Sequence, residues 1–196
     1  EATLSGDVGS AEMAERLSFD RMRKSVDIGI SILEADLASL SSPDHPQASV
    51  IRSSVTTNHA TKAVIDVVEA YRLDGKQDIS KELSALDPLI ATYSKAIERG
   101  RKNQKVLLLE LKIAKAQVQP SERPTVDKVI DLIEQYDDAW HVEDAYLESI
   151  ETIRQELAAT SDIEARELIV SEFFDLGGAL ETERERLIFE RIAGMK

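Results

Sequence analysis

Residues 83–118 read LSALDPLIATYSKAIERGRKNQKVLLLELKIAKAQV, and this stretch decides the fold. Within it Leu83, Leu86, Ile90, Tyr93, Ile97, Gly100, Gln104, Leu107, Leu111, Ala114 and Val118 follow one another in alternating three- and four-residue steps. That spacing lines one face of an α-helix, whereas a strand repeats its faces every two residues. Asp87-Pro88 near the start suits a helix N-terminus, with Asp as N-cap and Pro at the first helical position. A short helix is therefore expected before a new start at residue 87.

The same steps recur on both sides. A first run holds Phe19, Met22, Val26, Ile30, Leu33, Leu37 and Leu40, and stops at Ser41-Ser42-Pro43-Asp44-His45-Pro46, where two prolines enforce a loop. A second holds Ile51, Val55, His59, Ala63, Val67 and Tyr71 and ends at the turn signal Asp74-Gly75. After Pro120 and Pro124, Thr125 is expected to cap a fourth run through Val126, Val129, Ile133, Tyr136, Trp140, Leu147, Ile150 and Leu157. Thr160-Ser161-Asp162 marks a break and a new N-cap, followed by Ile163, Leu168, Val170, Phe173 and Phe174. No segment sustains two-residue alternation. The expected fold is all-α: an elongated antiparallel bundle of about five long helices, the last kinked or split at Gly177-Gly178. It forms a single domain over residues 1–196, with residues 1–10 flexible.

Composition bounds the function. With 196 residues and 42% apolar content the chain can build one domain with a core, and it is not a disordered polymer. Cys is absent, which excludes disulfides, thiolate catalysis and Cys-based metal sites. The longest strongly apolar run, Val106-Leu107-Leu108-Leu109, is far below the ~18 residues of a membrane span, so none is expected. Net charge is −13. Residues 1–120 carry 16 Lys+Arg against 17 Asp+Glu, and residues 121–196 carry 8 against 20, so the excess sits in the last two-fifths. A field of that sign repels nucleic acid, which is not expected as a partner. The sequence opens Glu1-Ala2-Thr3 without Met. Together with the missing Cys this favours a bacterial, extracytoplasmic location (periplasmic or secreted).

Catalytic signatures are missing: there is no Gly-rich phosphate loop, Gly-x-Ser-x-Gly elbow, Ser-x-x-Lys or His-Glu-x-x-His. The expectation is a protein that is not an enzyme and takes no cofactor. On the fourth helix Asp127, Asp131, Glu134, Asp138, His141 and Glu148 share one face. Asp131, Glu134, Asp138 and His141 are the candidate residues for binding a protein partner, a basic one by charge. Asp138 and His141 could reach one cation, but di-iron bundles use Glu-x-x-His from two helices and no second copy exists here, so no metal is expected. Glu143 and Asp144 interrupt the apolar seam, which marks a kink, a buried polar pair or a contact point. Lys95, Arg99, Arg101, Lys102, Lys105, Lys112 and Lys115 make the third helix basic, suited to docking beside the acidic fourth helix or to an anionic partner. Tyr136 and Trp140, four apart, are expected in the core.

The second helix carries Ser53, Ser54, Thr56, Thr57, Asn58, His59 and Thr61, seven small or polar residues in nine positions. Such residues are poor helix formers, and buried polar groups need partners. His59, between Val55 and Ala63, is placed on the inward face. The segment is an internal hydrogen-bond network or the lining of a site for a small polar ligand, with Thr56, Asn58, His59 and Lys62 as candidate contacts. His59-Ala60-Thr61-Lys62-Ala63 also resembles, over five positions, the His-x-x-Lys pattern of histidine phosphotransfer domains. It departs from it with Thr61 where Leu is usual and Ala63 where Gly is usual. The resemblance implies His59 as the phosphorylated nucleophile and Lys62 as the partner of the phosphoryl oxygens. The leading expectation is an interaction or sensing module presenting an acidic helical face to a protein partner, with homodimerisation open. A small polar ligand in the Ser/Thr/Asn/His layer is the alternative, and phosphotransfer through His59 the further one.

Overall fold

In a computed structural model of the chain, residues 4–40, 46–134 and 137–194 are described, with side chains over 9–40, 48, 50–134 and 139–187. All elements among them are helices: α1 (Leu4–Ser39), α2 (Pro46–Arg72), the single turn α3 (Ser80–Leu83), α4 (Leu86–Gln117), α5 (Arg123–Glu134), α6 (Asp137–Ala159) and α7 (Ile163–Gly194). With α3–α4 and α5–α6 each taken as one interrupted rod, these are five long helices and an all-α bundle, as the periodicity requires. At ~1.5 Å per residue α1 is about 54 Å long.

Cross-helix contacts give the directions. Arg16 meets Asp74 at 3.1 Å and Lys62 meets Asp27 at 2.6 Å, so α1 and α2 run antiparallel. Arg154–Asp87 at 2.6 Å and Lys112–Glu134 at 2.9 Å set α4 antiparallel to the α5–α6 rod. Arg184–Glu143 at 3.1 Å does the same for α6 and α7. Helices α2, α4, α6 and α7 surround the core, and α1 lies outside against α2. The core joins Val64, Val67 and Tyr71 with Leu83, Leu86, Tyr93, Ile97, Trp140, Val142, Ile150, Ile153, Leu157 and Val170, while α1 contributes Phe19.

Helix ends follow local chemistry. α2 stops where Gly75 takes a positive φ of 63°, and the Lys76 N–H donates to the Ala70 carbonyl at 3.0 Å across the turn. Asp162 caps α7 as expected, its Oδ1 accepting the Ala165 N–H at 2.8 Å. Asp87 is not the cap expected of it. α4 begins one residue earlier, Pro88 falls within the first turn where an N–H is not needed, and the Asp87 carboxylate takes Arg154. Thr125 is likewise inside α5, which Pro124 lets start at Arg123. The helix is not split at Gly177-Gly178: α7 is unbroken from Ile163 to Gly194. Glycine costs about 1 kcal/mol in a helix but still donates its N–H, so two glycines weaken a helix without ending it.

Burial along α4 changes at Gly100. Leu86, Tyr93, Ile97 and Gly100 are buried. Beyond them Leu107 and Leu111 are only half-covered, and Val106, Leu109 and Ile113 are exposed. The far half of α4 pairs with α5, whose buried residue is Ile130.

Gly100 itself is required by Trp140. A Cβ there would overlap the ring at Cη2 and lie 3.0 and 3.1 Å from Cζ3 and Cζ2. The ring is buried and its Nε1–H is hydrogen-bonded to Gln104, so it has no free direction to move. Gly100→Ala is expected to destabilise by about 1–3 kcal/mol, against the ~1 kcal/mol that the helix propensity of Ala would add. The urea midpoint, followed by the emission of this sole tryptophan, reads the change.

Candidate functional site

The polar stretch of α2 and the α7 glycines meet at one place. Ser54, Thr57, Asn58 and Thr61 form one wall of a cavity of about 400 Å³, and Leu33 of α1, Tyr146, Ser149 and Ile150 of α6, and Phe173, Phe174, Gly177, Gly178 and Glu181 of α7 form the others. Cavities of this size take small organic ligands. On the α7 side Gly177 and Gly178 line it without side chains, and a Cβ on either would meet nothing within 4 Å.

Behind the cavity lies a buried charged network. Glu143 is 6% exposed, Arg184 5% and Tyr93 0%. Arg184 faces Glu143 two-pronged, Nε donating to Oε1 at 3.1 Å and Nη2 to Oε2 at 3.2 Å. The Tyr93 hydroxyl donates to Glu143 Oε2 at 2.5 Å and accepts from Arg184 Nη2 at 3.3 Å. The remaining nitrogen, Nη1, donates to Ser54 Oγ at 3.2 Å and Glu181 Oε2 at 2.9 Å, both on the cavity wall. The guanidinium lies 4.4 Å from the centroid of the Tyr146 ring, and the Tyr146 hydroxyl stands 3.0 Å from both the Gly177 carbonyl and Glu181 Oε2. Burial first, and the neighbouring carboxylate after it, push the phenols of Tyr93 and Tyr146 well above their ordinary range, although Arg184 opposes both shifts. Glu143 is thus the buried polar pair among the three readings its position allowed. Asp144 is exposed and pairs with Arg101.

The candidate ligand residues divide. Asn58 lines the cavity. Thr56 is buried but turned to its own helix, its hydroxyl donating to the Arg52 carbonyl at 2.9 Å. Lys62 is held by Asp27 of α1, away from the cavity. His59 is exposed, not inward. The inward face runs through Ser53, Thr56, Thr57, Ala60, Ala63 and Val64, one helical step from the line drawn through Val55 and His59. Exposure is what a phosphorylated histidine needs, but the lysine three residues on already holds a carboxylate.

The candidate partner face is partly turned on the chain itself. Glu134 pairs with Lys112 at 2.9 Å, and Asp127 pairs with Lys115. The basic stretch of α4 thus docks beside the acidic rod. Asp131 and His141 are exposed. The side chains of Asp138 and Tyr136 lie outside the described residues. Among the described residues no three His, Asp or Glu are grouped to hold a metal ion, and no helix is long and apolar enough to cross a membrane.

Arg184, Tyr146, Ser149 and Glu181 are the site residues that sequence reasoning missed. A signal existed: Phe173, Gly177, Leu180, Arg184 and Leu187 continue the four- and three-residue steps of the core face, and a charged residue in that line must find buried partners.

No protein-family model, curated protein or solved structure matches the chain.

Proposed function

We propose that the protein is a small-molecule-binding helical bundle, with its site in the cavity between α1, α2, α6 and α7. One observation carries this reading: α2, α6 and α7 converge polar side chains on a 400 Å³ space that is lined on the α7 side by two glycines. The wall sets these polar groups beside the apolar faces of Leu33, Ile150, Phe173 and Phe174, the mixture a small-molecule site uses. The polar residues also lower helix propensity in α2, and Ser54, Asn58 and Thr61 among them are only half-covered by the packing. The partner-binding alternative on the acidic rod has less support, because Lys112 and Lys115 already meet Glu134 and Asp127.

The test fills the cavity. Gly178→Leu places an apolar side chain into the open space and, as a gain in helix propensity, is expected to keep or raise the melting temperature. Native mass spectrometry of gently purified protein should show a small mass above 21.8 kDa, absent from the Gly178→Leu variant. Retention of the same ligand by both forms would overturn the reading.

A further inference from the structure

We propose that the cavity takes a small organic cation: an ammonium group on an apolar or aromatic body. This rests on the cavity being a binding site and adds what it selects.

A guanidinium has five N–H groups, and Arg184 has all five engaged, with Glu143 twice, Tyr93, Ser54 and Glu181. None is left to receive an anion. Three neutral groups of the wall each place a hydrogen on a backbone carbonyl. The Thr57 hydroxyl donates to the Ser54 carbonyl at 3.0 Å, the Asn58 amide to the same carbonyl at 2.8 Å, and the Ser149 hydroxyl to the Tyr146 carbonyl at 2.7 Å. Tyr146 directs its hydroxyl at two acceptors. With their hydrogens so placed, the Thr57 and Ser149 hydroxyls keep oxygen lone pairs, beside the Glu181 carboxylate. These acceptors suit a ligand with N–H donors, and an ammonium group supplies three.

Charge agrees. Among the described residues of the wall Glu181 is the one carboxylate, and none of them is a cation; its partner Arg184 stands behind the wall and is shared with Glu143. Counting the groups behind it, Glu143 and Glu181 stand against Arg184 alone, leaving one negative charge over. The rest of the ligand meets Phe173, Phe174, Ile150 and Leu33. Aromatic faces next to a carboxylate favour a cation on both counts.

Three probes of one shape separate the outcomes: 2-phenylethylammonium, neutral 2-phenylethanol and anionic 3-phenylpropanoate, titrated calorimetrically at one ionic strength. The ammonium should bind at least about tenfold more tightly than the alcohol, and the carboxylate should not bind. Glu181→Gln should remove most of that preference, weakening the ammonium far more than the alcohol, and Glu181→Asp should restore part of it. Melting curves confirm that both variants fold. Equal or weaker binding of the ammonium, with all binding lost in Gly178→Leu, would overturn the cation and leave the cavity as a site for neutral ligands. Failure of every probe to bind the wild-type protein would overturn both.

Discussion

Arg184→Met should unfold this protein more readily than any surface change, by about 3–5 kcal/mol. The substitution keeps the volume and flexibility of the side chain but leaves the Glu143 carboxylate buried without its cation, and leaves Tyr93 at 0% exposure sharing a proton with an isolated charge. The loss belongs to the broken pair and not to the value of the intact one. Taking both charges away together, as Tyr93→Phe, Glu143→Met and Arg184→Met in one chain, should recover most of the stability, because well-packed apolar groups replace ion pairs at little cost. Urea unfolding of the single and triple variants checks this. A triple variant as unstable as the single one would mean that the network contributes net stability of its own.

Stability should also fall steeply above pH ~10. Burial is the first cause of raised phenol pKa values at Tyr71, Tyr93 and Tyr146, with the charges of Glu167, Glu143 and Glu181 adding to it. Their folded values exceed the ordinary value near 10, so the sign is fixed. Below about pH 10 both states hold the protons and the stability is fully present. Above it the unfolded chain releases protons that the folded chain keeps, and the unfolded state gains. Each phenol contributes a slope of roughly 1.4 kcal/mol per pH unit, and three together about 4. Between about pH 9 and pH 11 the unfolded phenols pass through their titration, so the loss there averages about half that limiting slope; urea unfolding reads it, and Tyr93→Phe should remove about a third of it. A flat profile would mean that these hydroxyls ionise as freely in the fold as outside it.

The fold was legible because the helical period is carried by large residues. Leu83, Leu86, Tyr93 and Ile97 are unambiguous at one glance, and they are buried. Glu143 announced itself by interrupting such a line. Register was misread where residues are small: between Ser53 and Ala63 nothing bulky tells the inward face from its neighbour, and His59 moved from core to surface on one helical step. The cavity was hidden for a different reason. Its wall gathers residues from four helices, between Leu33 and Glu181, and the Ser54–Arg184 contact depends on how rods pack, which no local pattern encodes. The glycine pair was visible, but a missing side chain has one local meaning, a weakened helix, and another in three dimensions, an open space.

The change of burial at Gly100 divides the molecule's cooperativity. The layer of Tyr93, Ile97 and Trp140 is locked into four helices and can be exposed only by losing the whole core. The outer half of α4 and its partner α5 fully bury only Ile130 among the described residues, their other apolar side chains being half-covered or, like Val106, Leu109 and Ile113, already in water. Opening that hairpin gives up little apolar burial, so it separates from the rest at a small fraction of the global free energy. Helix content and tryptophan emission then follow different transitions, and a single two-state free energy describes the four-helix core but not the entire chain.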